Sequence, residues 1–464
     1  MRIRKVLTSL VVAALVLVGG VATSAPSNAA STLTSPTWMS NATVYEVNVR
    51  QYTAEGTFNA FSTHLDRLKK LGVKVLWFMP IQPISVKERK GTLGSYYSIA
   101  DYKGINPEYG TAADFKALVE KAHGLGFKIV LDWVPNHTGW DNPWITAHPD
   151  WYTKDSSGKI IHPAGTDWTD VADLNYSNQA MRAEMIASMK YWIDTYDIDG
   201  FRCDVAGAVP NDFWNTATAT LTAIKPLWML AETNPGEVTI GTNFTSAYNW
   251  PLKDAFNGMS RGNTDGFTIS GEITRIANDY PKGNYPMNFI TNHDENSWSG
   301  TEYTRLGSVA AVKAGAVISF TLPGAPLLYT GQEVGMNKML KFFEKDQVDY
   351  PATTSPMTPF YTKLVELKTR APALAVGAAA GSIAETKTSK VSVVAYARFI
   401  GARRVLVAVN LSAKPTSVKI SWGKYASALY DYSTNSLVRV PQYQTVTLPA
   451  WGYKIYTTEK LINK

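Results

Sequence analysis

The chain has 464 residues, 45% of them hydrophobic and 18% charged, enough to bury one large core and a smaller one. Arg2, Arg4 and Lys5 carry three of its formal +7 charges, and the rest are scattered without a basic run, which excludes a nucleic-acid footprint. The single cysteine, Cys203, excludes an intrachain disulfide and an N-terminal lipid anchor. Fourteen Trp and 24 Tyr supply a large core and also suit a protein that stacks flat ring faces on a ligand.

Residues 1–30 read as a secretory signal. A basic end precedes an apolar run over residues 7–21, and Ser27-Asn28-Ala29 offers a small-x-small cleavage site. The apolar run is short for a membrane span, and no later stretch is long enough to be one. The mature protein is therefore expected to be extracellular, free of the membrane and monomeric.

The spacing predicts strands at 43–49, 73–79 and 127–132, with helices between them. Phe61, Leu65, Leu68 and Leu71 recur at helical spacing and stop at Gly72. Thr111 and Asp114 form a capping-box pair ahead of Phe115, Leu118, Val119 and Ala122. Further strands are predicted at 200–205, 228–232, near 247–250, at 287–291 and at 326–330. Near-continuous apolar strands alternating with helices require a buried parallel sheet. Eight such units predict an α/β fold, a (β/α)₈ TIM barrel, over residues 31–375. The alternative is an open doubly wound sheet, which the absence of a glycine-rich phosphate loop after the first strand disfavours.

Between the third and fourth strands, residues 138–178 form a polar, turn-rich insertion containing Trp140, Trp144, Trp151 and Trp168. The helix after it carries Met181, Met185, Met189 and Trp192, a stripe that reads as core. From residue 376 to 464 helical periodicity ends. Short alternating strands at 391–396, 405–409, 417–420, 445–448 and 453–456 predict an all-β sandwich domain.

Active sites of such barrels lie at the C-terminal strand ends. Asp132, Asn136 and His137 follow the third strand, Arg202 and Asp204 the fourth, Glu232 the fifth, and His293 and Asp294 the seventh. Arg202 and Asp204 are two residues apart, so they share a strand face, and the cation is expected to hold Asp204 ionised with a low pKa. Glu232 follows Trp228, Met229, Leu230 and Ala231, an apolar setting that raises a carboxyl pKa. One ionised and one protonated carboxyl are what a glycosidase needs. A metal-dependent hydrolase using both His and the acids is the competing reading, although no paired-His spacing or cysteine cluster supports zinc.

These segments resemble the α-amylase family, glycoside hydrolase family 13. Its four signature regions match Asp132-Trp-Val-Pro-Asn136-His137, Gly200-Phe-Arg202-Cys-Asp204, the stretch centred on Glu232, and Asn292-His293-Asp294. The segments Gly94–Tyr102, Asn106–Gly110 and Val171–Asn175 match too, all in order. The resemblance implies Asp204 as nucleophile, Glu232 as general acid and base, and Asp294 as the residue that binds sugar hydroxyls and distorts the ring. It implies Arg202 as the partner of Asp204, His137 and His293 as donors to the sugar, Tyr97 as the stacking ring, and Asp132 as support. The implied activity is retaining hydrolysis of α-1,4 bonds in starch or maltooligosaccharides.

Two departures matter. The family's Lys-His pair after the nucleophile is replaced by Gly207 and Ala208. Only Asn136 and Asp173 then match the familiar calcium site, which a backbone carbonyl at position 208 could complete. Val205-Ala206 lies closer to cyclomaltodextrinase and neopullulanase patterns, so those activities, transglycosylation and a non-catalytic glucan-binding relative stand as alternatives.

Overall fold

The computed structural model describes residues 33–351 and 355–462. The expected signal segment, residues 1–30, lies outside them. Eight parallel strands form the central sheet: β1 Val44–Val47, β2 Val75–Phe78, β3 Lys128–Trp133, β4 Gly200–Cys203, β5 Trp228–Ala231, β6 Ser246–Ala247, β7 Met287–Asn288 and β8 Ala325–Tyr329. They neighbour one another in the order β6-β5-β4-β3-β2-β1-β8-β7. A parallel bridge between Tyr248 and Met287 joins the two ends, so the sheet curls into a barrel. β1 is shorter than the sequence predicts. Asn48 caps a short helix, Val49–Tyr52, by accepting a hydrogen bond from the Gln51 amide.

Every barrel strand is buried on both faces, and its two faces do different work. Val44, Val75, Trp77, Val130, Trp228, Leu230 and Leu327 form one cluster inside the barrel. The alternate residues Tyr45, Leu76, Phe78, Ile129, Leu131, Phe201 and Met229 join a second cluster with the surrounding helices. Period-two alternation in a strand produces this division. The inward series continues at the strand ends through Glu46, Asp132, Arg202, Asp204 and Glu232, so the parity that fills the barrel also aims the polar groups.

Gly200 stands where β4 approaches β5. A Cβ there would lie 2.2 Å from the Trp228 carbonyl oxygen, a backbone atom that cannot swing aside. Gly200→Ala is expected to cost about 1–3 kcal/mol by overpacking, measured as a shift of the urea unfolding midpoint.

Around the barrel, the Ala112–Gly124 helix begins with the Thr111–Asp114 capping box. The Gln179–Tyr196 helix buries Met181, Met185, Met189 and Trp192, as its stripe predicts. In the insertion, His137–Gly139 pairs antiparallel with Val171–Asp173. Two antiparallel sheets of six and three strands follow the barrel, between residues 382 and 457. Their facing sides share a core that includes Ala395, Leu406, Val418, Ile420 and Leu448. Strands Ser382–Glu385, Lys387–Thr388, Ala428–Asp431 and Leu437–Arg439 add to the five that the sequence predicts. All but Ala428–Asp431 lack buried residues, so no apolar alternation marks them.

Candidate active site

The strand register places Asp132 opposite Arg202 in the β3–β4 ladder, and both point inward. Arg202 is wholly buried and is the hub of the site. Its Nη1 donates to Asp132 Oδ1 and to Asp204 Oδ1, each at 2.8 Å. Its Nε donates to the Tyr248 hydroxyl at 3.0 Å. Its Nη2 lies 2.8 Å from Glu232 Oε2 without forming an aligned hydrogen bond. The Val205 amide supplies the aligned bond to that oxygen, at 2.9 Å. To do so Val205 adopts φ +35°, a left-handed conformation that is strained for a β-branched residue.

Three carboxyls around one buried guanidinium cannot all ionise cheaply. Burial raises the Glu232 carboxyl to about 8, with the charges of Asp204 and Asp294 adding to it and Arg202 opposing. Burial also raises Asp204 to about 6, against the pull of Arg202, with Asp132 and Asp294 pushing the same way. Asp132 is raised by burial to about 6 as well. The expectation of a low Asp204 pKa is therefore corrected, because desolvation and the neighbouring acids outweigh the single cation. The ranking still separates the groups. Glu232 is raised the furthest of the three, so it is the carboxyl that keeps a proton most readily.

On the opposite wall, His293 Nδ1 is 2.5 Å from Glu46 Oε1, and its Nε2 is 2.8 Å from the Tyr97 hydroxyl and 3.3 Å from Asp294 Oδ2. Burial alone would discharge this ring, but Asp294 and Glu46 raise it to about 9, so it is an imidazolium. The Tyr97 hydroxyl donates to Asp132 Oδ2, and its ring stacks on His293 at 5.4 Å. His137 is different: burial drives it down to about 4, leaving it neutral. Asn136 Nδ2 meets its Nδ1 at 3.2 Å, which puts the ring proton on Nε2.

Tyr97, His137, Asp204, Glu232, His293 and Asp294 all line one cavity of about 570 Å³. Asp294 has 36% of its side chain exposed, against 11% for Asp204 and for Glu232. Asp132 and Arg202 stand behind that wall. Of the insertion's tryptophans, Trp168 also lines the cavity and packs on His137, while Trp144 packs on Trp151 and Tyr102. The sequence reading missed Glu46, Tyr248 and Trp77, whose Nε1 donates to Asp132 Oδ2 at 3.2 Å. Their inward strand parity was the available signal.

Asn136 directly precedes the first strand of the insertion's two-stranded sheet, and Asp173 ends the second, opposite His137. Asp173 has no ion-pair partner among the described residues, and burial raises its carboxyl. A carboxylate and an amide oxygen are hard donors of the kind calcium accepts. Among the described residues no three His, Cys, Asp or Glu side chains cluster as metal ligands.

Known proteins resemble this chain in sequence and in fold. The family profile described as "Alpha amylase, catalytic domain" matches residues 25–168 and 165–362. The alpha-amylase MalA of Haloarcula japonica is 29% identical over 84% of this chain and 58% of its own length. The chain thus spans less than two thirds of the curated relatives it matches. Among solved structures, an alpha-amylase of Lactobacillus plantarum is 30% identical with a TM-score of 0.80, covering 91% of this chain and 100% of that one. A maltogenic alpha-amylase of Thermotoga neapolitana is 28% identical with a TM-score of 0.81, covering 91% and 99%.

Proposed function

The chain belongs to the α-amylase family of glycoside hydrolases, and from that premise we propose that it hydrolyses the α-1,4 bonds of starch or maltooligosaccharides with retention of the anomer. The observation that carries this reading is that Asp204, Glu232 and Asp294 line one cavity, with Arg202 2.8 Å from both Asp204 and Glu232; the stronger upward shift of Glu232 agrees with it.

Asp204, ionised, attacks the anomeric carbon from one face. Glu232, protonated, gives its proton to the departing glycosidic oxygen. A covalent glycosyl ester on Asp204 results. Glu232, now ionised, takes a proton from water, and that water displaces Asp204 from the same face it first attacked, so the α-configuration returns. Asp294 accepts hydrogen bonds from the ring hydroxyls. His137 Nε2 and the His293 imidazolium donate to them, and Tyr97 stacks beneath the ring. Glu46 and Tyr248 act through His293 and Arg202 and are positioning residues.

The pH dependence has a definite sign. Asp204 works only when deprotonated, so activity falls as pH drops through about 6. Glu232 works only when protonated, so activity falls as pH rises through about 8. A plot of kcat/KM for maltoheptaose against pH is expected to be a bell between those limbs. A profile flat from pH 5 to 9 would remove both assignments.

Calcium and export complete the reading. Asn136 and Asp173 would hold calcium with the Ala208 carbonyl, and the ion would tie the insertion to the loop after β4 without entering the chemistry. Added Ca²⁺ is expected to raise the Tm of the chelator-treated protein, and Asp173→Ala to abolish the rise. The basic and apolar composition of residues 1–30 supports secretion.

The direct test incubates the purified protein with soluble starch, pullulan and maltoheptaose and follows products by chromatography and anomeric NMR. Release of α-anomeric maltooligosaccharides is expected. No product from any substrate, with folded protein and calcium present, would overturn the reading.

A further inference from the structure

Asp294 and Glu295 are consecutive acids with opposite surroundings. Asp294 lines the cavity, and its one ion-pair contact among the described residues is His293 Nε2, at 3.3 Å. The aim of its carboxyl therefore depends on the backbone that carries it. Glu295 is buried and turned toward the helices around the barrel. Its Oε1 lies 3.0 Å from Lys253 Nζ, on the helix Trp250–Met259. Its Oε2 lies 3.3 Å from Arg305 Nη1, on the helix Glu302–Leu306.

Arg305 does more than face that acid. Its Nη2 donates to the Ile290 carbonyl at 2.7 Å, and its Nε donates to the Gly300 carbonyl at 3.0 Å. These two carbonyls bracket the segment that holds His293, Asp294 and the π-helical turn Glu295–Ser299. Such turns concentrate at functional sites. Arg305 Nη1 also donates to Asn257 Oδ1 at 2.6 Å, and the Arg305 carbonyl accepts from the Ser260 hydroxyl at 2.8 Å. The arginine is thus fixed to the neighbouring helix and its end. One planar guanidinium grips both ends of the segment and faces the acid at its middle. An ammonium, with a single nitrogen, cannot span those positions. Within the segment, Asn292 Oδ1 accepts from the Glu295 amide at 2.8 Å, which braces the backbone on either side of Asp294.

We propose that Arg305 is a positioning residue for Asp294. By tying Ile290, Glu295 and Gly300 to one rigid group, it fixes the depth and angle at which Asp294 meets the sugar, without touching the sugar itself. This deepens the α-glucan reading above and rests on it. Displacing a group in the site by about 1 Å costs up to about 10²-fold in rate. Asp204 and Glu232 stand at the ends of β4 and β5 and are in contact with Arg202, not Arg305. Loss of Arg305 is therefore expected to act through Asp294.

The test is a double-mutant cycle. Arg305→Met is made in the wild type and in Asp294→Asn, and kcat/KM is measured on α-maltotriosyl fluoride, whose good leaving group keeps slow variants measurable. A loss of about 10²-fold is expected in the wild type, and less than about threefold in the Asp294→Asn background, because the two changes share one effect. The Tm is expected to fall equally in both. Equal losses of kcat/KM in the two backgrounds, or none in either, would overturn the proposal, since a purely structural arginine matters as much without Asp294 as with it. Should Arg305→Met not fold, Arg305→Lys replaces it in the cycle. It keeps a charge facing Glu295 and loses the fork, and the same two patterns decide. Should the wild type cleave neither the fluoride nor maltoheptaose, the hydrolytic reading fails by itself, and titration calorimetry with maltoheptaose runs the same cycle on affinity. A loss that vanishes in the Asp294→Asn background would support the proposal. An equal loss, or no binding by the wild type, would overturn it.

Discussion

Asp204→Asn is expected to lower kcat on maltoheptaose by about 10⁴-fold or more, the scale on which removing a covalent nucleophile acts. The amide keeps the shape of the side chain and an oxygen for Arg202 Nη1, but it has no charge with which to attack. The fold is expected to survive, and the reason is the sign of the pKa shift. The Asp204 carboxyl is raised from 3.8 to about 6 in the folded chain. Between those values the native state binds more protons than the unfolded state, so stability falls as pH rises. Above pH 6 the buried charge is a standing cost, and the neutral amide relieves it. The variant is therefore expected to unfold at an equal or higher urea concentration than the wild type at pH 7.5, measured by circular dichroism. Near-wild-type turnover would end the nucleophile assignment. A collapsed midpoint would end the argument about buried charge.

Arg202→Met is expected to have the largest effect on stability, a loss of about 3–5 kcal/mol, the scale of breaking a buried ion pair from one side. The guanidinium is the cation in ion-pair contact with Asp132, Asp204 and Glu232. Without it their charges face one another with no cation between them. Their pKa values then rise further, so the loss is expected to be smaller at pH 5 than at pH 8 in urea titrations. Loss of packing alone would be independent of pH. Arg202→Lys is not expected to rescue activity, because one ammonium cannot reproduce a planar fork that reaches three acids and Tyr248. A lysine variant with wild-type kcat would show that only the charge at this position matters.

Much of the molecule was legible along the chain. Eight apolar runs alternating with helical spacing describe a barrel, because strands buried on both faces must be apolar throughout. Thr111 and Asp114 announce a helix start, and the structure forms both of their reciprocal bonds. The two-residue step from Arg202 to Asp204 places both on one strand face, and they meet at 2.8 Å.

What the chain order could not convey are partners and dielectric. Glu46 lies 247 residues from His293, and Tyr248 lies 46 from Arg202, yet each is in hydrogen-bond contact. Only closure of the barrel brings them together. The direction of the Asp204 shift was also beyond the sequence, which displays the adjacent cation but not the depth of burial or the acids from β3 and β7. Local periodicity determined the elements and the side each residue faces. Tertiary structure decided which faces meet, how much water is left between them, and so which carboxyl keeps the proton.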